Sequence, residues 1–375
     1  MSIHAAITPK EIAVVLFNLG GPDSCETIKP FLFNFFMDRN IIPAPAPIRW
    51  MIAKYISITR SKGAAGTSYA ALGNKSPLLE NTRAQASALQ TMLNTDPSMK
   101  FRVHVCMRYW HPMADEIVER VHHDNPDQII LLPLYPQFST TTSWSSLEQW
   151  DIAAKKTQMD AKTSMICCYP TLPQFVAASA ALVREQYLAM QTAGYTPRVL
   201  FSAHGLPEDI IHKGDPYQWQ CEKSASAIAG ATGIENLDWQ ICYQSRVGPK
   251  KWIGPSTDEA IRQAARDGVP VLIYPHAFVS EHVETLVEIE EEYRHLASGL
   301  GIPAFGRVPT VSVQQAFIQG LAAMVTSRLN VPGIAPDCGG RICPSGFTRC
   351  CMGQNIALEG SRPCAVLSPQ VTLGA

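Results

Sequence analysis

Val14-Val15-Leu16-Phe17-Asn18-Leu19-Gly20-Gly21-Pro22 and, far downstream, Val199-Leu200-Phe201-Ser202-Ala203-His204-Gly205-Leu206-Pro207 share one pattern: an apolar run that breaks at Gly and Pro. A second pair follows the same logic. IILLPLYPQFST, from Ile129, resembles VLIYPHAFVSE, from Val271. Working outward, residues 14–19, 103–107, 129–134 and 164–168 read as buried strands in one half. Residues 199–202, 239–243, 271–274 and 304–308 read so in the other. Helical patterns such as 84–92 and 175–190 lie between them. Strands alternating with helices imply parallel sheets covered by helices. The expected fold is α/β: two similar doubly wound, Rossmann-like domains with parallel four-stranded sheets and a ligand cleft at the carboxyl ends of the strands. The expected boundaries are 11–175 and 176–310, with a helix at 311–330 packed on the first domain and a Cys-rich extension over 331–375.

The chain has 375 residues, 46% hydrophobic and 17% charged, which suits two domains with substantial cores. A net charge of −1 gives no basis for nucleic-acid binding. The start, MSIHAAITPK, has no secretory apolar stretch and is poor in Arg, so a cytoplasmic protein is expected. No apolar run is long enough to span a bilayer. Residues 30–57 combine aromatic and aliphatic side chains with a Pro-Ala-Pro-Ala-Pro hinge. They read either as a core helix and loop or as an apolar lip for a greasy ligand or a membrane surface.

Four segments carry chemistry. His204 follows a strand at once, where α/β ligand sites form and where an imidazole can move protons near neutral pH; the plainer alternative is a histidine bonded to its own turn. Ser280 is a plausible N-cap for a helix on which Glu281, Glu284, Glu288 and Glu291 or Glu292 share a face. The helix dipole favours Glu281 and Glu284 but not the later acids, so the face is either solvated or a path for cations and protons. His282 fits both readings. Trp252, between two Gly-Pro turns and beside Lys250 and Lys251, reads as a structured loop or as a rigid wall for a flat ligand. Arg108-Tyr109-Trp110-His111-Pro112 and Leu134-Tyr135-Pro136-Gln137-Phe138-Ser139 end strands of the first half and face the same cleft.

In this order these segments resemble the ferrochelatases, from about Val14 to Leu329. The resemblance is carried by Asn18-Leu19-Gly20-Gly21-Pro22, Met37-Asp38-Arg39, Gly73-Asn74-Lys75-Ser76-Pro77 and Arg108-Tyr109-Trp110-His111-Pro112. It continues through Ser202-Ala203-His204-Gly205-Leu206-Pro207, Gly214-Asp215-Pro216-Tyr217, Trp252-Ile253-Gly254-Pro255 and His282-Val283-Glu284-Thr285-Leu286. It implies a lyase that inserts Fe²⁺, as a substrate, into protoporphyrin IX to form haem, with peripheral membrane contact. His204 and Glu284 match the active-site pair. Leu19, Arg39, Arg108, Tyr135, Ser139 and Trp252 match residues at the porphyrin. Glu281, Glu288 and Glu292 match an acidic metal or proton route. Glu281 stands where relatives often carry Asp, and His276 where many carry a small or apolar residue, adding a possible ligand near the cleft. The Asn-Leu-Gly-Gly-Pro opening is similar to the protoporphyrin-using branch. Cobalt and sirohaem chelatases, and porphyrin-binding modules without catalysis, are the alternatives.

Eleven cysteines are present, and Cys338, Cys343, Cys350 and Cys351 crowd the tail. Some ferrochelatases hold a [2Fe–2S] cluster on such an extension. The upstream ligand of the animal pattern falls here on Thr140, so the four tail cysteines are the expected ligands, with Cys364 or the Cys167-Cys168 pair as replacements. Zinc, a redox disulfide and free thiols are the alternatives.

Overall fold

The computed structural model describes residues 9–245, 248 and 250–353. Among these the chain forms nine strands: β1 (Lys10–Asn18), β2 (Met99–Met107), β3 (Gln128–Pro133), β4 (Lys162–Ile166), β5 (Arg198–His204), β6 (Trp239–Gln244), β7 (Val271–Tyr274), β8 (Phe305–Arg307) and β9 (Gly333–Ala335). They build two parallel sheets, ordered β2-β1-β3-β4-β9 and β6-β5-β7-β8. The central strands β1, β3, β5 and β7 are almost wholly buried, as unbroken runs of Val, Ile and Leu require when helices cover both faces.

The two sheets repeat one winding. In each, the first strand lies between the second and the third, so the chain reverses direction across β1/β3 and across β5/β7. Such switch points open a crevice beyond the carboxyl ends of the strands, and His204 is the last residue of β5. One hydrophobic core joins the sheets. Val14 and Ile130 from one and Val199 and Leu272 from the other belong to it, together with Phe175 and Phe317 from helices Pro173–Thr192 and Gln315–Ser327. The latter helix packs on Pro173–Thr192 and on Leu78–Leu93.

Three features depart from the sequence-based expectation. The first sheet has five strands, because the start of the tail adds β9 in parallel along the open edge of β4, pairing Gly333 with Ser164. An unpaired edge is costly to leave bare, and a strand of three residues suffices to cap it here. Secondly, the Pro-rich hinge opens a helix, Ala46–Lys62, with proline in its first turn where no N–H is missed. Thirdly, Ser280 does not cap a helix. Its hydroxyl donates to Gln85, 2.8 Å away. The acidic segment is a π-helix, Glu284–Tyr293, continued by the α-helix Arg294–Gly299.

Residues of the expected lip divide between two helices. Cys25–Phe36 buries Ile28, Phe31, Leu32 and Phe36. Ala46–Lys62 leaves Ile48, Trp50, Met51 and Tyr55 exposed, Tyr55 at 71%. Among the described residues no helix is long and apolar enough to cross a membrane.

Candidate active site

The crevice beyond β1, β3 and β5 is walled mainly by apolar side chains, Leu19, Phe35, Tyr135, Leu206 and Phe278 among them, with His204, His282 and Glu284 grouped at its polar end. Gly205 lets the Gln244 carbonyl and the Trp252 ring pack close against the turn after His204. A Cβ there would meet the Gln244 carbonyl at 2.9 Å and the Trp252 ring at 3.2 Å. Trp252 therefore lies against the turn that follows His204, bridged to Pro207.

His204 Nδ1 lies 2.9 Å from Glu284 Oε2. About a third of the imidazole stays open to the crevice, against 22% of the Glu284 side chain. Burial alone would lower the histidine pKa, but the Glu284 carboxylate outweighs it and holds His204 above the ordinary value. Burial would likewise raise the pKa of Glu284, yet the imidazole beside it holds that carboxyl down, to about 2. His282 stands on the other side, with Nε2 4.0 Å from the same oxygen, and burial lowers its pKa.

The π-helix extends this pair. Hydrogen bonds from i to i+5 widen each turn, so residues four apart lie closer to eclipsed than on an α-helix. Glu288 thus follows Glu284, and Ser245 joins them. The Ser245 hydroxyl donates to Glu288 at 2.6 Å and lies 3.5 Å from Glu284, while its N–H donates to Glu288 at 2.9 Å. Tyr293 also donates to Glu288. Burial, and then the Glu284 charge, push the Glu288 pKa up. Glu292 is exposed at the outer end. Glu281 leaves the series. Arg307 Nη1 donates to it at 3.0 Å and the Thr310 N–H at 2.9 Å; against its burial, the guanidinium holds it ionised. A carboxylate so fully paired anchors the segment and is not free to pass cations.

The remaining expected residues are placed unevenly. Leu19 and Tyr135 line the crevice. Arg108 is drawn back to the buried Asp38, donating at 3.0 Å, and to Ser145 at 2.7 Å. Arg39 is mostly exposed and pairs with Glu148. Ser139 is buried and donates to Asp215. His276 is inside the core, with Nε2 3.2 Å from the Cys221 carbonyl and its ring edge-on to Phe201, so it adds no ligand to the crevice. Gln244, the last residue of β6, and Ser245 open the Gln-Ser-Arg-Val-Gly-Pro stretch that leads to Trp252; the sequence marks that stretch as part of the loop and of the family resemblance but gives neither residue a role of its own. Arg246, Val247 and Pro249 of the same motif lie outside the described residues, as do Cys364 and residues 354–375 generally.

The tail cysteines do not gather as the spacing suggested. Cys338 is exposed, its thiol 3.5 Å from the Gly340 carbonyl. Cys343, Cys350 and Cys351 are buried, and Cys167 and Cys168 join them. β9 explains this. It runs beside β4, whose continuation is Cys167-Cys168; the Cys167 N–H donates to Ala335 and the Asp337 N–H to Cys168. Cys350 touches the thiols of Cys343 and Cys351, whose hydrogen bonds lower its pKa, and Cys351 reaches Cys167. Among the described residues no three His, Cys, Asp or Glu side chains surround a point that a single metal ion would fill. Cys167, Cys168, Cys343, Cys350 and Cys351 are thus buried thiols contributed by both the tail and the end of β4.

The ferrochelatase family profile matches residues 11–329. A ferrochelatase of Wolbachia sp. subsp. Drosophila simulans is 48% identical over 320 residues, 85% of this chain and 99% of the relative. One from Caulobacter vibrioides is 47% identical over 346 residues, 91% of this chain and 97% of the relative. Among solved structures, SirB from Bacillus subtilis with Fe³⁺ aligns with a TM-score of 0.51 at 10% identity, covering 85% of this chain and 95% of that one, which is a likeness of fold. With a histidine–glutamate pair at the switch-point crevice and these matches along nearly its whole globular part, the chain belongs to the ferrochelatase family.

Proposed function

We propose that this protein inserts Fe²⁺ into protoporphyrin IX, forming protohaem and releasing two protons. The observation that carries the reading is the His204–Glu284 contact at 2.9 Å, set at the polar end of an otherwise apolar crevice. A porphyrin needs apolar walls for its rings and a base for its pyrrole N–H groups. When Nδ1–H of His204 donates to Glu284, Nε2 of the neutral ring carries the lone pair that accepts a pyrrole proton. The imidazolium so formed is stabilised by the carboxylate already beside it. Ser245 links Glu284 to Glu288, whose raised pKa suits it to hold a proton before release. Glu292 would end that route at the surface.

Leu19 and Tyr135 would contact the rings. Arg39 and Arg108 are the cations for the propionates, reached once a ligand carboxylate competes with Glu148 or Asp38. Trp252 and Ser139 would support the walls from behind. The exposed Ile48, Trp50, Met51 and Tyr55 would rest on a membrane surface, from which a cytoplasmic enzyme would draw its water-insoluble substrate.

A [2Fe–2S] cluster fits the thiols, with Cys168, Cys343, Cys350 and Cys351 as ligands and Cys338 left out. When bound, such a cluster cross-links the tail to the end of β4. The function is tested by anaerobic incubation of the purified protein with Fe²⁺ and protoporphyrin IX. Haem absorbance should appear with turnover; tight porphyrin binding without haem would indicate a carrier. Preference for Co²⁺ and a corrinoid or sirohaem precursor would indicate a different chelatase.

A further inference from the structure

Gln220 is fully buried on the helix Tyr217–Ala231, and all of its amide is used. Its oxygen accepts the backbone N–H of Phe138 at 2.7 Å. That donor is obligatory, so the amide cannot be reversed, and the NH₂ group must face the other way. There it meets two sulfurs, Cys343 at 3.1 Å and Cys168 at 3.5 Å. One sulfur belongs to the tail, the other to the end of β4, and the helix itself follows β5. Phe138 lies in the loop after β3 whose Gln137, Thr141 and Thr142 line the crevice.

We infer that Gln220 is a positioning residue that donates hydrogen bonds to two cluster thiolates while its carbonyl pins the crevice loop, so that the occupancy and charge of the thiolate group are felt at the porphyrin wall. The inference rests on the cluster reading above. Its physical content is the donor pair. N–H groups aimed at thiolate sulfur stabilise the added negative charge of a reduced cluster and raise its potential. A buried amide whose hydrogens have no other partner must keep those sulfurs as acceptors. The same side chain, held at both ends, transmits a shift of the sulfurs to Phe138.

The test uses the full chain purified without oxygen, as wild type, Gln220→Met and Gln220→Glu. Methionine keeps the volume and removes both ends of the contact. Glutamate keeps the acceptor for Phe138 and replaces the donors with charge, so the two separate the loop role from the thiolate role. Iron and sulfide analysis, the visible spectrum and a one-electron redox titration are measured on each, with thermal unfolding to show that each is folded. The expected result is a reduction equilibrium at least tenfold less favourable in Gln220→Met, a shift of about 59 mV to more negative potential. Cluster loss from folded protein is expected in Gln220→Glu. A several-fold rise in porphyrin KM with a smaller change in kcat is expected in both variants, from the unpinned loop in Gln220→Met and from the emptied thiolate group in Gln220→Glu. Wild-type protein free of iron and sulfide would overturn the cluster reading itself. A wild-type cluster whose spectrum and potential are unchanged in both variants would overturn the role of Gln220 and leave the cluster standing.

Discussion

At the scale of single residues, the crevice separates groups that look alike in sequence. His204, His276 and His282 lie within 80 positions, yet only His204 shares a close carboxylate and keeps an open face. His204→Ala should reduce haem formation by at least ~10²-fold, the usual worth of a general base, while porphyrin fluorescence quenching still reports near-normal binding. Glu284→Gln removes the anion that favours the imidazolium, so the His204 pKa should fall. NMR titration of the ring should show it, and the acid limb of any residual activity should move to lower pH; an unmoved His204 titration would mean the pair is not coupled. His276 behaves oppositely to His204. Burial lowers its pKa to about 4, against an ordinary 6.5. Below pH 6.5 the unfolded chain takes up a proton that the folded one refuses. Stability therefore declines as pH falls from 6.5 towards 4, by about 3 kcal/mol in total. His276→Gln, which can still donate to the Cys221 carbonyl, should lack that slope in melting curves across this range.

Among the elements, those that bury apolar runs were legible and those shaped by hydrogen bonding were not. All eight strands expected from short Val-, Ile- and Leu-rich runs are present, since burial on both faces leaves a plain mark in sequence. The ninth has no such mark: Gly333–Ala335 is a strand only because the edge of β4 is beside it. The π-helix was equally hidden, as α and π spacings differ by too little over ten residues to separate four glutamates. Of the acids expected on one face, Glu284 and Glu288 are brought together, whereas Glu281 is captured by Arg307, a partner 26 positions away that no local pattern announces. The His204–Glu284 pairing across 80 residues was available only through family resemblance. Residues 30–57 show the ambiguity of apolar composition, for one helix buries its apolar side chains and its neighbour leaves several exposed. Trp50→Ser with Tyr55→Ser should weaken flotation with anionic vesicles and change the melting temperature little, because both side chains are exposed. Phe36→Ser should instead cost about 3–5 kcal/mol as core packing is lost, judged by denaturant unfolding. Equal vesicle binding by the Trp50/Tyr55 variant and wild type would place the membrane contact elsewhere.

Across the whole molecule, the two sheets meet along a polar seam as well as a shared core. The loop after β3 is bound to the second half at four successive residues. Gln137 donates to Ser224, Phe138 to Gln220, and both Ser139 and Thr140 to the buried Asp215. The tail is fastened to this seam, with Arg349 donating its N–H to the Gly214 carbonyl beside Asp215. Its other ties are the three-residue strand β9, the backbone bonds around Cys167 and Cys168, and the Phe347 ring against Trp219. Arg341 gathers the carbonyls of Cys343, Pro344 and Phe347 around its guanidinium, and few large apolar side chains are buried there. Ordering such a segment costs roughly 1–2 kcal/mol per residue, which these hydrogen bonds offset only in part. A metal cross-link from Cys168 to Cys343, Cys350 and Cys351 would supply the difference, because metal binding to the folded form adds to folding free energy. Position then decides which cysteines matter. Cys168→Ser, Cys343→Ser, Cys350→Ser and Cys351→Ser should each bleach the visible cluster bands and render the tail susceptible to limited proteolysis near β9. Cys338→Ser should do neither, since its thiol is exposed and bonded locally to Gly340. Cys167→Ser should retain the bands, with the Cys351 contact altered. Bleaching by Cys338→Ser with a spectrum intact in Cys168→Ser would return the ligand set to the four tail cysteines and detach the cluster from the seam.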